Sequence, residues 1–166
     1  MRRRRFRVGL LVALAVALSG VPASTLAAPS EADQLSADLD GKPIQLVDVG
    51  NWYCDDFSYP AIHCFRDPKE LEARATLILA TTAIDYVTVY DQTTFAGSYM
   101  HMSEDYTVLA LIGWNDRVSS LKGRNSQSGH FYVDWFFGGA IFGFCCNQQL
   151  TSLGSYDNTF SSVHRG

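Results

Sequence analysis

Residues 90–97 read YDQTTFAG, and 42 positions later residues 132–139 read YVDWFFGG. Tyr90 falls on Tyr132, Phe95 on Phe137 and Gly97 on Gly139 without a gap. The register continues: Leu111 meets Leu153, and NDRVSS at 115–120 meets DNTFSS at 157–162. Matches gathered in two blocks, in the same order and equally far apart, mark an internal duplication.

Each copy reads as short strands separated by turns. YVTVY (86–90) is built of β-branched and aromatic residues, the composition of a strand. FAGSYMHM follows as its hairpin return, and HFYVDW and GGAIFGF are the equivalent pieces of the second copy. Gly97 and Gly139 stand where the hairpin must fold sharply, a place for positive φ. The aromatic pairs Tyr90/Phe95 and Tyr132/Phe137 can then pack across the fold. The expected body is mostly β.

The serine-bearing stretches are rich in oxygen. Asn115, Asp116, Ser119 and Ser120, with Asp157, Asn158, Ser161 and Ser162 in the second copy, are turn formers, but they are also the hard ligands a calcium ion selects. No EF-hand series is present. One copy offers too few oxygens for six- to eight-fold coordination, so two copies lending ligands to each other would give two half-shared sites.

Outside the repeat the chain changes character. Residues 1–28 run from an arginine cluster through an apolar stretch, Val8 to Leu18, to small residues. This is the layout of a secretory leader, too short for a membrane span of roughly 20 residues. Cleavage is expected between Ala23 and Ala28. Arg3 and Arg4 fit a twin-arginine signal in part, leaving the export route open. The chain carries 13 basic and 17 acidic residues. Loss of Arg2 to Arg5 and Arg7 leaves 8 basic residues against 17 acidic ones, a net charge of −9. Such a mature protein suits the extracellular space and cations, and argues against nucleic acid or an anionic membrane as partners.

Residues 29–84 form an N-terminal extension. Its first part, 29–45, is polar and expected to be loosely ordered. NWYCDDFSYPAIHCF (51–65) reads as a cysteine-bearing loop. DPKELEARATLILATT reads as one amphipathic helix, with Asp67 as N-cap, Pro68 in the first turn, and Leu71, Ala75, Ile78 and Leu79 as its apolar stripe. The four cysteines, Cys54, Cys64, Cys145 and Cys146, all lie in the exported part, where disulfides persist. Three pairings are open: a local Cys54–Cys64 loop with Cys145 and Cys146 joined or free, or two cross-pairings. Zinc is disfavoured, because no Cys-x2-Cys spacing occurs.

Tyr-x4-Phe-x-Gly followed by Asn/Asp-Asn/Asp-x-x-Ser-Ser, twice in tandem, resembles the βγ-crystallin domain in its microbial, calcium-binding form. The resemblance covers residues 85–166, with repeats at 85–124 and 127–166. It implies two Greek-key motifs in two packed antiparallel sheets, with two calcium ions held between the motifs. Carried onto this sequence, it implies side-chain ligands from Asp116, Asn158, Ser119 and Ser161 and carbonyl ligands from Arg117 and Thr159. Ser120 and Ser162 would hold the folded hairpins, while Asn115 and Asp157 would shape the loops. The two cysteines in FGFCCNQQL and the helical extension depart from the pattern.

Hydrolase and phosphate-loop motifs are absent from the sequence, and His63, His101, His130 and His164 are scattered. The expected function is a secreted, non-enzymatic calcium-binding module. Two alternatives use the same scaffold: an inhibitor of extracellular metallopeptidases, whose partner would be a secreted protease, and a toxin-like antimicrobial protein.

Overall fold

The computed structural model describes residues 34–166; the leader expected over 1–28 lies outside them. Strands β5 (Tyr86–Tyr90), β6 (Tyr99–Met102) and β7 (Ser120–Arg124) belong to the first repeat. Strands β8 (Gly129–Tyr132), β9 (Ile141–Phe144), β10 (Gln149–Leu150) and β11 (Ser162–Arg165) belong to the second. They do not stay with their own repeat. β10 pairs with β7 of the first repeat, Leu150 opposite Leu121, while Tyr106 of the first bridges to Val163 of β11. This exchange interlocks two Greek keys, so neither repeat closes its sheet alone.

The extension is built into the same body. β1 (Ser36–Leu39) and β2 (Lys42–Pro43) precede a hairpin of β3 (Tyr53–Ser58) and β4 (Ala61–Phe65). The larger sheet runs β10-β7-β5-β6-β3-β4-β1-β2, and the smaller runs β11-β8-β9. Two expectations are corrected here. Residues 36–45 are not loosely ordered: SADL alternates outward and inward, and Ala37 and Leu39 join the core. The cysteine-bearing segment is a hairpin, not a loop. The pairings among β5 to β11 are antiparallel, as expected for the two repeats; the larger sheet becomes mixed only where the extension joins it, β3 pairing in parallel with β6 and β1 with β4.

The core lies between the sheets, where Val87, Val89, Met100, Leu121, Trp114, Phe131, Phe160 and Val163 are fully buried. Cys54, Ile62 and Cys64 of the extension belong to the same cluster. Cys54 and Cys64 stand opposite each other in the hairpin register and form a disulfide. Cys145 and Cys146 are bridged to each other in the turn between β9 and β10.

Helix α1 (Pro68–Leu79) starts at Asp67, whose carboxylate accepts the Lys69 N–H at 2.9 Å, satisfying one of the orphan donors of the first turn. Leu71 and Ala75 are buried, and Ile78 and Leu79 are half-buried. Leu71 packs on Tyr90 and Tyr99, against the outer face of the larger sheet.

Two contacts fasten the extension. The backbones of Gly50 and Gly113 meet so closely that a Cβ on Gly50 would lie 2.2 Å from the Gly113 carbonyl oxygen. Fully buried Asp56 reaches from β3 to accept the Ser103 N–H at 2.7 Å, the Ser103 hydroxyl at 2.6 Å and the Tyr106 hydroxyl at 3.0 Å. Loss of water outweighs these donors, and the Asp56 carboxyl is pushed up to about 6.

Candidate functional site

The two serine-bearing loops lie side by side. The Asp116 N–H donates to the Phe160 carbonyl at 2.9 Å, and the Asn158 N–H donates to the Val118 carbonyl at 3.1 Å. Each bond maps onto the other under the 42-residue shift, so the loops are related by a local twofold. Asp116 and Asn158 share the left-handed conformation, with φ of 53° and 55°, one that Asp and Asn tolerate better than most residues. The following serines anchor each loop from behind: the Ser119 N–H donates to Tyr90 O and the Ser161 N–H to Tyr132 O, both at 2.8 Å.

The folded hairpins repeat with the same fidelity. Gly97 and Gly139 take φ of 78° and 76°. A Cβ on Gly97 would fall 1.8 Å from Asp91 Oδ1. The Ser120 hydroxyl accepts the Phe95 N–H at 3.1 Å and donates to Gln92 O at 2.6 Å. The Ser162 hydroxyl accepts from Phe137 N–H at 3.0 Å and donates to Asp134 O at 2.7 Å. Tyr90 and Phe95 pack at 5.5 Å between ring centroids, Tyr132 and Phe137 at 5.7 Å.

Among the ligand candidates, oxygens from different repeats converge. The Ser119 hydroxyl donates to Asn158 Oδ1 at 3.0 Å. Ser119 and Ser161 are buried, whereas Asp116 and Asn158 are exposed. Asp116 Oδ2 accepts from the Asn115 amide at 2.7 Å, and Asn115 Oδ1 accepts from the Trp135 indole at 3.1 Å. Thr159 turns its hydroxyl to Tyr156 O. Arg117 sends its guanidinium away from the loops, to Asp91 Oδ2 at 3.0 Å and Gly113 O at 3.1 Å. Its side chain thereby braces the first hairpin against the glycine contact of the extension.

Sequence reasoning missed two features near this site. Asp157 Oδ1 is buried without a hydrogen-bond partner, a position from which an oxygen gains by meeting a cation. Asp91, paired with Arg117, was the first acid of YDQTTFAG, and that position was the available signal. Among the described residues, no group of three or more His, Cys, Asp and Glu side chains comes together as a metal cluster. A cation here would draw on hydroxyl, amide and carbonyl oxygens together with the single carboxylates of Asp116 and Asp157.

Interlocked Greek keys, folded Tyr-x4-Phe-x-Gly hairpins and paired loops give residues 86–165 a fold of the βγ-crystallin type. The chain is similar to a βγ-crystallin domain from an archaeon, at 25% identity over 51% of this chain and 100% of that one, with a TM-score of 0.45. It is similar to a βγ-crystallin domain from Flavobacterium johnsoniae, at 26% identity over 48% and 92% of the two chains, with a TM-score of 0.43. The N-terminal domain of protein S aligns at 25% identity over 49% and 94%, with a TM-score of 0.45. No protein-family model and no curated protein matches the sequence.

Proposed function

We propose that this protein is a secreted, non-enzymatic βγ-crystallin-type module that binds calcium at the two loops and is stabilised by it. The observation carrying the reading is the approach of Ser119 Oγ to Asn158 Oδ1 at 3.0 Å, oxygens of opposite repeats meeting beside a twofold pair of backbone bonds. The buried, unpartnered Asp157 Oδ1 adds a further oxygen short of a donor.

The donor set suits calcium, which accepts hydroxyl, amide, carboxylate and carbonyl oxygens in flexible geometry. Asp116, Ser119, Asn158 and Ser161 would supply side chains, and Arg117 and Thr159 carbonyls. The site sharing Asn158 has one charge fewer and is the weaker of the two. Because each ion would join both repeats, it would bind only the folded form. Calcium at about a hundred times its Kd would then add about 2.7 kcal/mol of stability.

Thermal melting of the mature chain with calcium and with EGTA tests this directly. The midpoint rises with calcium if the reading holds, and is indifferent to it if the loops are only hydrogen-bonded turns.

A further inference from the structure

The repeat creates two equivalent strand edges, and only one of them is covered. β6 (Tyr99–Met102) and β9 (Ile141–Phe144) match end to end under the 42-residue shift. β6 lies inside its sheet: β3 of the extension runs parallel beside it, Tyr53 opposite Tyr99 and Asp55 opposite His101, and every residue of β6 is buried. β9 is the outermost strand of the smaller sheet. Tyr99 is 9% exposed, whereas its counterpart Ile141 is 55% exposed, and Gly143, the counterpart of His101, is exposed as well. Helix α1 packs Leu71 on Tyr90 and Tyr99; among the described residues no helix does the same for Tyr132 and Ile141.

The hydrogen bonds show which groups of β9 look outward. Opposite residues of an antiparallel pair alternate between exchanging two bonds and exchanging none. The Val133 N–H donates to Ala140 O and the Cys146 N–H to Gln127 O, so in this register Phe142 and Phe144 bond to β8. Ile141 and Gly143 turn their N–H and C=O groups to the open side. In the first repeat the Asp91 N–H donates to Ser98 O, so Tyr99 and His101 turn theirs the same way, and β3 lies there. The Ile141 carbonyl receives the Tyr156 hydroxyl at 3.4 Å, long for an O–H donor, and keeps a second lone pair. Such an edge is a template for another strand.

The strand that suits it is its own copy. Natural edges are guarded by lysine, proline or inward-pointing charge, yet residues 135–156 contain no charged side chain and no proline. Beyond residue 28 the chain carries 8 basic and 17 acidic residues, so two copies repel over most of their surface and can approach at an uncharged one. β9 is also complementary to itself. With Phe142 at a twofold axis, Ile141 faces the partner's Gly143, and each such pair exchanges two backbone bonds. The Ile141 side chain then lies beside a residue that has none. A hollow of about 350 Å³ opens there, lined in part by Ser128, His130, Gly143 and Phe144. The fold of a single chain does not require glycine at this place, since a Cβ on Gly143 would make only ordinary contact, 3.5 Å from the His130 ring.

We propose that β9 is a dimerisation edge: two copies of the chain pair antiparallel through Ile141 and Gly143, joining their three-stranded smaller sheets into one continuous sheet. The closed twofold leaves no further edge of this kind open, so assembly stops at the dimer. The pairing uses no residue of the calcium loops.

Sedimentation equilibrium of the mature chain in EGTA is expected to show a reversible monomer–dimer equilibrium with Kd below about 1 mM. Amide hydrogen exchange, followed by NMR at dilute and concentrated protein, locates the contact. The Ile141 and Gly143 amides should slow about tenfold or more on dimerisation, while those of Phe142 and Phe144 are slow in both. Ile141→Lys places two cations as diagonal neighbours on one face of the joined sheet and is expected to weaken the dimer about tenfold or more. Because Ile141 is exposed in the single chain, the dilute variant should melt as the parent does. A chain that stays monomeric to about 1 mM, leaving the edge bare or to another protein's strand, overturns the proposal. So does a dimer that I141K forms equally well, or one whose newly protected amides lie elsewhere.

Discussion

Replacing Asp56 by Asn should change how stability depends on pH more than it changes the fold. The native carboxyl titrates at about 6, against 3.8 for the free side chain. Between these values the folded chain binds more protons than the unfolded chain, so Asp56 contributes stability at low pH that is lost as pH rises through about 6. A shift of roughly two units corresponds to about 3 kcal/mol. Asn keeps an acceptor for the two Ser103 donors but presents an amide to the Tyr106 hydroxyl, which can turn to accept from it, and to the Glu104 N–H at 3.3 Å, which cannot; that loss is the same at every pH. It does not titrate. Urea denaturation of parent and D56N from pH 4 to 7 isolates the effect, since the other carboxylates cancel in the difference. The parent's advantage over D56N should shrink by about 3 kcal/mol across that range. An advantage that stays flat or grows with pH would show that the hydrogen-bond donors, not desolvation, govern this carboxylate, and would refute the reasoning.

Other consequences are simpler. Ser120→Ala removes two hydrogen bonds of the first folded hairpin and should cost about 1–3 kcal/mol; Ser162→Ala should match it, and a large inequality in chemical denaturation would speak against the twofold equivalence. Gly50→Ala drives a Cβ to 2.2 Å from the Gly113 carbonyl and should cost about 2–4 kcal/mol, with proteolysis of residues 34–65 as the readout; unchanged susceptibility would mean the extension does not depend on that contact. Glu72, held down at about 2 chiefly by His101, with Tyr99 also lowering it, contributes stability above pH 4.5 that is lost as pH falls toward 2. Acid titration of E72Q should lack that part of the acid limb, and a limb identical to the parent's would contradict the assignment.

Much of this was legible because the repeat is a local pattern written twice. The hairpin aromatics and their glycine lie close together in sequence, and the serine pairs, 25 residues further on, recur at the same distance in both copies, so spacing betrays the geometry. The strand exchange was not readable residue by residue. β10 is two residues long and joins the other repeat's sheet, which no periodicity announces. The extension was misread for a related reason. YCDDFS contains two acids, a pattern of loops, yet Asp55 is neutralised by Arg74 at 2.9 Å and Asp56 is hydrogen-bonded by donors about 50 residues downstream. Burial of charge is affordable only with such distant partners, and sequence adjacency does not reveal them. SADL, by contrast, alternates in the manner of a strand, and that signal was there to be used. The candidate loops illustrate the remaining limit. Asn115, Asp116, Ser119 and Ser120 and their second copies could be picked out, but that Ser119 meets Asn158 rather than its own neighbours is a property of the assembled twofold.

Isothermal calorimetry of calcium binding to the refolded mature chain, set beside the Ser119→Arg, Ser161→Arg double variant, bears most immediately on the role assigned to the loops. Heat of two uptake events in the parent, abolished in a variant that still folds, is the expected outcome. Silence in the parent, or undiminished uptake in the variant, would contradict it.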